Sequence, residues 1–249
     1  PTDTKDAIRR LHANQRQELL AKNGRFIEQR WPELKSHFAS GRELRPCAMT
    51  PRLETVEADT WQSDLFRLAS LSWSVPVSAG YGRRMRFLVW DDFNGKLIGL
   101  LALGDPVFNL RVRDEWIGWS SEDRRARLVH LMDAFVLGAV PPYNAILAGK
   151  LIACLLRTRE VKDAFAAKYS KTQGIISEEF KRPKLCLVTT TSALGRSSLY
   201  NRLSLGGIRY FQSIGATSGW GHFHIPDSLF AKMRSYLEQQ SDAYSHNHK

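Results

Sequence analysis

Three groups of residues have the types and spacing that chemistry needs. The first is Gly221-His222-Phe223-His224. On a strand, His222 and His224 fall on one face at the spacing of a metal pair, and either imidazole can also move a proton near neutral pH. Two strand histidines bonded to their neighbours use the same pattern without chemistry. No third ligand is legible, and no metal is assigned. An acid such as Asp105, in LGDPVFN, would complete a metal-dependent nuclease with them, although Asp105-Pro106 also fits a plain turn, as do Asp91-Asp92. The second group is the stretch LGAVPPYNAILAGKLIACLL at 137–156. A strand ending at Val140 and a helix opening near Ala145 leave backbone N–H groups free at the helix start, and these suit an anion. Gly149 allows close approach and Lys150 adds charge. The same junction, with water at its N–H groups, needs no ligand at all. The third is Tyr200, a candidate proton donor or a packed helix tyrosine.

Basic residues are the other signal. The 249-residue chain carries a net charge of +11, which argues for contact with a polyanion. Arg83, Arg84 and Arg86 open one strand, and Lys181, Arg182 and Lys184 open another. Arg196 precedes the tyrosine helix. From Lys150 to Tyr210 twelve Lys and Arg face four acids. The portion from Arg157 to Lys171 reads as a solvated helix face, so 181–184 and Arg196 are the stronger phosphate candidates. DNA stands ahead of RNA as the nucleic acid. No base-reading motif is present.

These groups need elements to position them. Apolar spacing predicts helices over 4–38, broken at Asn23-Gly24, with Pro32 opening a further helix, and another helix within 60–74. Asn94-Gly95 between RRMRFLVW and LIGLLALGD predicts a type I′ hairpin. A helix over 121–134 capped by Ser121, a buried strand over 135–140 and a long helix over 145–170 follow. A strand over 184–192, a helical turn at SSLYNRL, a closing strand pair within 208–226 and a helix over 227–241 complete the chain. The reading is an α/β domain with a mixed sheet over 51–249 behind an N-terminal helical extension over 1–50. No apolar run is long enough to span a membrane, and PTDTKDAIRRLH is no signal peptide. Three scattered cysteines suit a reducing cytoplasm.

Two resemblances follow from these stretches. The element order resembles the N-acetyltransferase (GNAT) fold: a hairpin with a G-x-L-x-L strand, a helix, a strand, a pyrophosphate turn and a long helix. The resemblance would place the turn at Asn144 to Gly149, with Val140, Asn144, Leu147, Ala148, Gly149 and Lys150 around acetyl-coenzyme A or another phosphate-bearing acyl donor. It implies substrate or base roles for Asp105 and Asp114, and Tyr200 as general acid. The segments LFRLASLSWSVPVSAGYGRRMRFLVWD, GKLIGLLALGDPVFNL, VLGAVPPYNAILAGKLIA, TTTSALGRSSLYNRL and IGATSGWGHFHI resemble DruA-type proteins, named from the Druantia anti-phage defence system. That likeness implies a nucleic-acid setting and other defence-system proteins as partners. It leaves open an acyl-type transferase, a non-catalytic nucleic-acid-binding module, or a metal-dependent nuclease.

Overall fold

The computed structural model describes residues 4–77, 82–170, 172–173, 180–181, 183–192, 194–195, 197–217, 225 and 227–239. His222, His224, Arg182 and Arg196 lie outside these, and of Lys181 only the backbone lies within them. Helices α1 (Thr4–Leu11), α2 (Ala13–Lys22) and α3 (Gly24–Leu34) come first, then β1 (Pro51–Thr55), α4 (Trp61–Ser70), β2 (Arg84–Asp91) and β3 (Lys96–Gly104). After α5 (Arg111–Ile117) and α6 (Ser121–Arg127), β4 (Leu131–Ala139) leads to α7 (Gly149–Leu155) and α8 (Arg159–Tyr169). The short pairs β5 (Thr172–Gln173) with β6 (Phe180–Lys181), and β8 (Ser204–Leu205) with β9 (Ile208–Arg209), flank β7 (Leu187–Thr189) and α9 (Ser198–Asn201). Helix α10 (Asp227–Gln239) is last.

One five-stranded sheet in the order β1-β2-β3-β4-β7 organises the molecule. Its first four strands are antiparallel, and β7 joins β4 in parallel. Helices cover both faces, so β2 and β3 are apolar on both sides and read as nearly continuous hydrophobic runs. On one face Phe87, Leu101 and Met132 pack with Ile152 of α7 and Phe165 of α8. On the other, Leu88, Leu100 and Val136 pack with Leu65 and Phe66 of α4, and Leu34 of α3 joins them.

Several sequence expectations are corrected. Only Gly95 of the hairpin turn has positive φ, at 68°; the turn is four residues long, with Asn94 and Gly95 N–H both bonded to Asp91 O, and is not type I′. Pro32 lies inside α3, near its C-terminal end, rather than opening a helix. The predicted 121–134 helix stops at Arg127, and Leu131–Ala134 is strand. Ladder partners on both β3 and β7 override its helical pattern there. The cap is Ser120, whose hydroxyl accepts from Asp123 N–H at 3.1 Å. The 145–170 helix is broken between Leu155 and Arg159. Residues 210–217 carry no strand, and 218–224 lie outside the described residues. Strands β4 and β7 share the sheet, but only Leu131–Asp133 pairs with Leu187–Thr189. Val140 therefore lies well past the β7 pairing and bonds back to Ile98 O.

Tyr143 joins the hairpin to the turn after β4. Its ring is fully buried, its hydroxyl donates to Asp91 Oδ2 at 2.9 Å, and Asn94 Nδ2 donates to it at 2.9 Å. Burial, with Asp91 nearby, pushes its phenol up to about 12. Because the fold favours the neutral phenol, the stability it contributes is complete below an ordinary tyrosine pKa of about 10 and is lost as pH rises towards 12. Unfolding free energies measured by urea across this alkaline window should fall steeply for the wild type. Tyr143→Phe should flatten that fall; an unchanged slope would contradict the assignment.

Candidate functional site

The turn after β4 does not present the expected amide cradle. Residues 143–146 form a single 3-10 turn, Leu147 takes the left-handed conformation at φ 62°, and α7 begins at Gly149. The N–H groups of Leu147, Ala148 and Lys150 already donate to the carbonyls of Asn144, Tyr143 and Leu147, at 3.2, 3.2 and 3.0 Å. Asn144, Leu147 and Lys150 are exposed, whereas Val140 and Ala148 are buried. A phosphate here would have to displace bonds that hold the turn. Tyr200 donates its hydroxyl to Leu137 O at 3.3 Å and packs against Phe211, and burial pushes its phenol above the ordinary value.

Asp105 and Arg83 are spent on each other. Asp105 accepts from the Arg83 backbone N–H at 2.9 Å and from Arg83 Nε at 2.7 Å. Arg83 also donates to Val129 O and Leu131 O, at 2.8 and 3.1 Å, and so ties the start of β2 to the approach to β4. A Cβ at Gly82, where φ is 52°, would lie 2.1 Å from Asp105 Oδ2. This clamp needs glycine at 82 and leaves neither side chain for a substrate or a phosphate. Asp105→Ala should cost about 2 kcal/mol, as expected for lost charge-assisted hydrogen bonds, and thermal melting would measure it. Arg84 is exposed, and Arg86, half-buried over the Phe66 ring at 5.6 Å, is pushed down by burial and by Arg84. Among the described residues no group of three His, Cys, Asp or Glu is placed to hold a metal.

The structure instead gathers other residues at the outer edge of β7. A cavity of about 470 Å³ lies there, lined by residues of α5, of the α7–α8 junction and α8, of 185–190 and of 210–214. The α7–α8 break places Arg157 and Lys162, both exposed, on its wall. Arg157 lies over the Tyr210 ring at 4.5 Å and donates to Arg209 O at 3.3 Å. Trp116 from α5, 53% exposed, faces the same space. Lys184, also exposed, directly precedes the cavity-lining Leu185. Its backbone N–H donates to His130 Nδ1 at 3.0 Å.

Buried ionic groups support this edge. Arg113 is fully buried; its guanidinium donates to Asp114 Oδ1 at 2.8 Å and to the carbonyls of Val107 and Phe108 at 2.8 and 3.1 Å. Asp114 also accepts from Arg124 at 3.0 Å. Burial alone would raise the Asp114 carboxyl, but Arg113 and Arg124 together hold it below the usual range. Asp114 is therefore a structural anion rather than a base. On β4, burial pushes the Asp133 carboxyl up, against the opposing pull of the Thr189 hydroxyl and Arg113. Thr189 donates to Asp133 Oδ1 at 2.7 Å and Thr190 to Ala134 O at 2.9 Å.

Sequence reasoning missed this constellation. Arg157 and Lys162 carry the charge excess that the sequence displays, yet helical periodicity does not tell which basic residues line a cavity. Asp133 sits in a stretch that reads as helix. Trp116, Thr189 and Tyr210 come from three segments remote from one another.

A family model described as Druantia protein DruA matches residues 2–248. A curated Druantia protein DruA from Escherichia coli (strain UMEA 4076-1) is 60% identical over 245 residues, covering 98% of this chain. The chain spans 61% of that relative's length. No solved structure matches.

Proposed function

The chain belongs to the DruA family, and from that membership we propose that it serves anti-phage defence by holding a nucleic-acid strand, DNA ahead of RNA, at the β7 cavity. The observation that carries this reading is the pairing of charge with rings at one opening: Arg157 and Lys162 beside Trp116 and Tyr210. Proteins that hold single strands combine cations that follow the phosphates with aromatic faces on which bases stack. The net charge of +11 supplies the long-range attraction. Lys184 extends the basic surface beyond the cavity. Among the described residues no helix is long and apolar enough to cross a membrane. Other proteins of the defence system are its proposed partners, and the cytoplasm its proposed site of action.

This reading is a binding module, and no reaction is assigned to it. The acyl-donor reading relied on amides around Leu147 to Lys150, and those of Leu147, Ala148 and Lys150 are already bonded within the turn. The nuclease reading relied on His222 and His224, which lie outside the described residues, and on an acid such as Asp105, which Arg83 occupies. Photo-cross-linking of a single-stranded oligonucleotide, followed by peptide mass spectrometry, tests the location. Adducts on peptides carrying Trp116 or Tyr210 are expected. Adducts confined to the Arg84 and Arg86 surface would overturn the assignment to this cavity.

A further inference from the structure

Two adjacent residues of the cavity lining, Thr189 and Thr190, each donate their hydroxyl proton to a group on β4. A threonine hydroxyl carries one proton and two lone pairs. Thr189 commits its proton to the Asp133 carboxylate, which can only accept, and Thr190 commits its own to the backbone carbonyl of Ala134. What these side chains can offer a ligand is lone pairs. We infer that the cavity selects nucleobases that present an exocyclic amine, cytosine over thymine, because the amine donates to Thr189 and Thr190 where the thymine carbonyl would meet lone pairs. This rests on the reading of the cavity as a strand site and adds to it a rule for which bases enter. Arg157 and Lys162 line the same cavity and are left to the phosphates. Ring stacking on Trp116 and Tyr210 favours neither pyrimidine strongly, so the hydroxyls decide between them.

The test is a competition between oligo(dC) and oligo(dT) of equal length, followed by fluorescence anisotropy at one salt concentration. Mildly alkaline buffer keeps oligo(dC) unpaired. The wild type is expected to bind oligo(dC) about 5- to 20-fold more tightly, in line with one or two net hydrogen bonds. Thr190→Val, which leaves the Asp133–Thr189 bond in place, should reduce the preference while keeping salt-sensitive binding. Equal binding of the two strands, or tighter binding of oligo(dT), would overturn the selection rule and leave the strand site standing. Absence of salt-sensitive binding to either strand would overturn the strand site as well.

Discussion

Asp114→Ala is expected to destabilise the protein by about 4 kcal/mol, the largest stability effect of any surface-remote substitution near the cavity. Asp114 is 5% exposed and bridges a fully buried Arg113 to Arg124. Removing it leaves the Arg113 guanidinium inside the protein bonded to two backbone carbonyls and without its hydrogen-bonded carboxylate, Asp133 acting on it only through space. Losing one partner of a buried pair is far costlier than replacing both with apolar groups. Asp114→Asn keeps the shape without the charge and should lose nearly as much. The carboxyl is held below its usual range, so its contribution is present above an ordinary aspartate pKa of about 3.9 and disappears as pH falls through the lower folded value. Urea unfolding at neutral pH measures the loss. A change under about 1 kcal/mol would show that the bridge is not what holds α5 at the cavity.

The largest effect on binding is expected from Arg157→Ala combined with Lys162→Ala. Both residues are exposed, but Arg157 also lies on Tyr210 and bonds Arg209 O, so thermal melting should accompany the binding measurement to show that the variant folds. If each neutralises one phosphate of a single strand, the log–log salt slope should become shallower by about 1.4, or about 0.7 per lost contact. Tyr210→Ala should act differently. It removes a stacking face worth about 1–3 kcal/mol, weakening binding by tenfold or more with little change in slope. Tyr210→Phe keeps the face and should bind like the wild type. A double cation variant with an unaltered slope would place the phosphates elsewhere on the molecule.

The sheet's central hairpin was legible because its signals are local: β2 and β3 are apolar runs on either side of Asn94-Gly95. The helices α3 and α4 and the final helix were legible for the same reason. What failed were places where a distant partner decides. Leu131–Ala134 continues a helical pattern without Gly or Pro, yet strands on both sides claim it. The stretch after Ala145 has no breaker at Arg157-Thr158, so a bend that turns Arg157 towards Tyr210 left no mark in the spacing. The Arg83–Asp105 clamp joins residues 22 positions apart, and each looked functional alone because its partner was not in view. The candidate cavity draws on residues 113–116, 156–162, 185–190 and 210–214. No motif spans such distances. Charge composition pointed to the kind of ligand, and only the fold brought the residues together.

The most direct test of the strand-holding account is the affinity of the wild-type chain for a labelled single-stranded DNA across a salt series. The account predicts binding whose logarithm falls linearly with the logarithm of salt, steeply enough for several phosphates at about 0.7 each. Addition of oligo(dC) should displace the labelled strand. Affinity that does not change with salt, or no binding at low salt, would contradict the account.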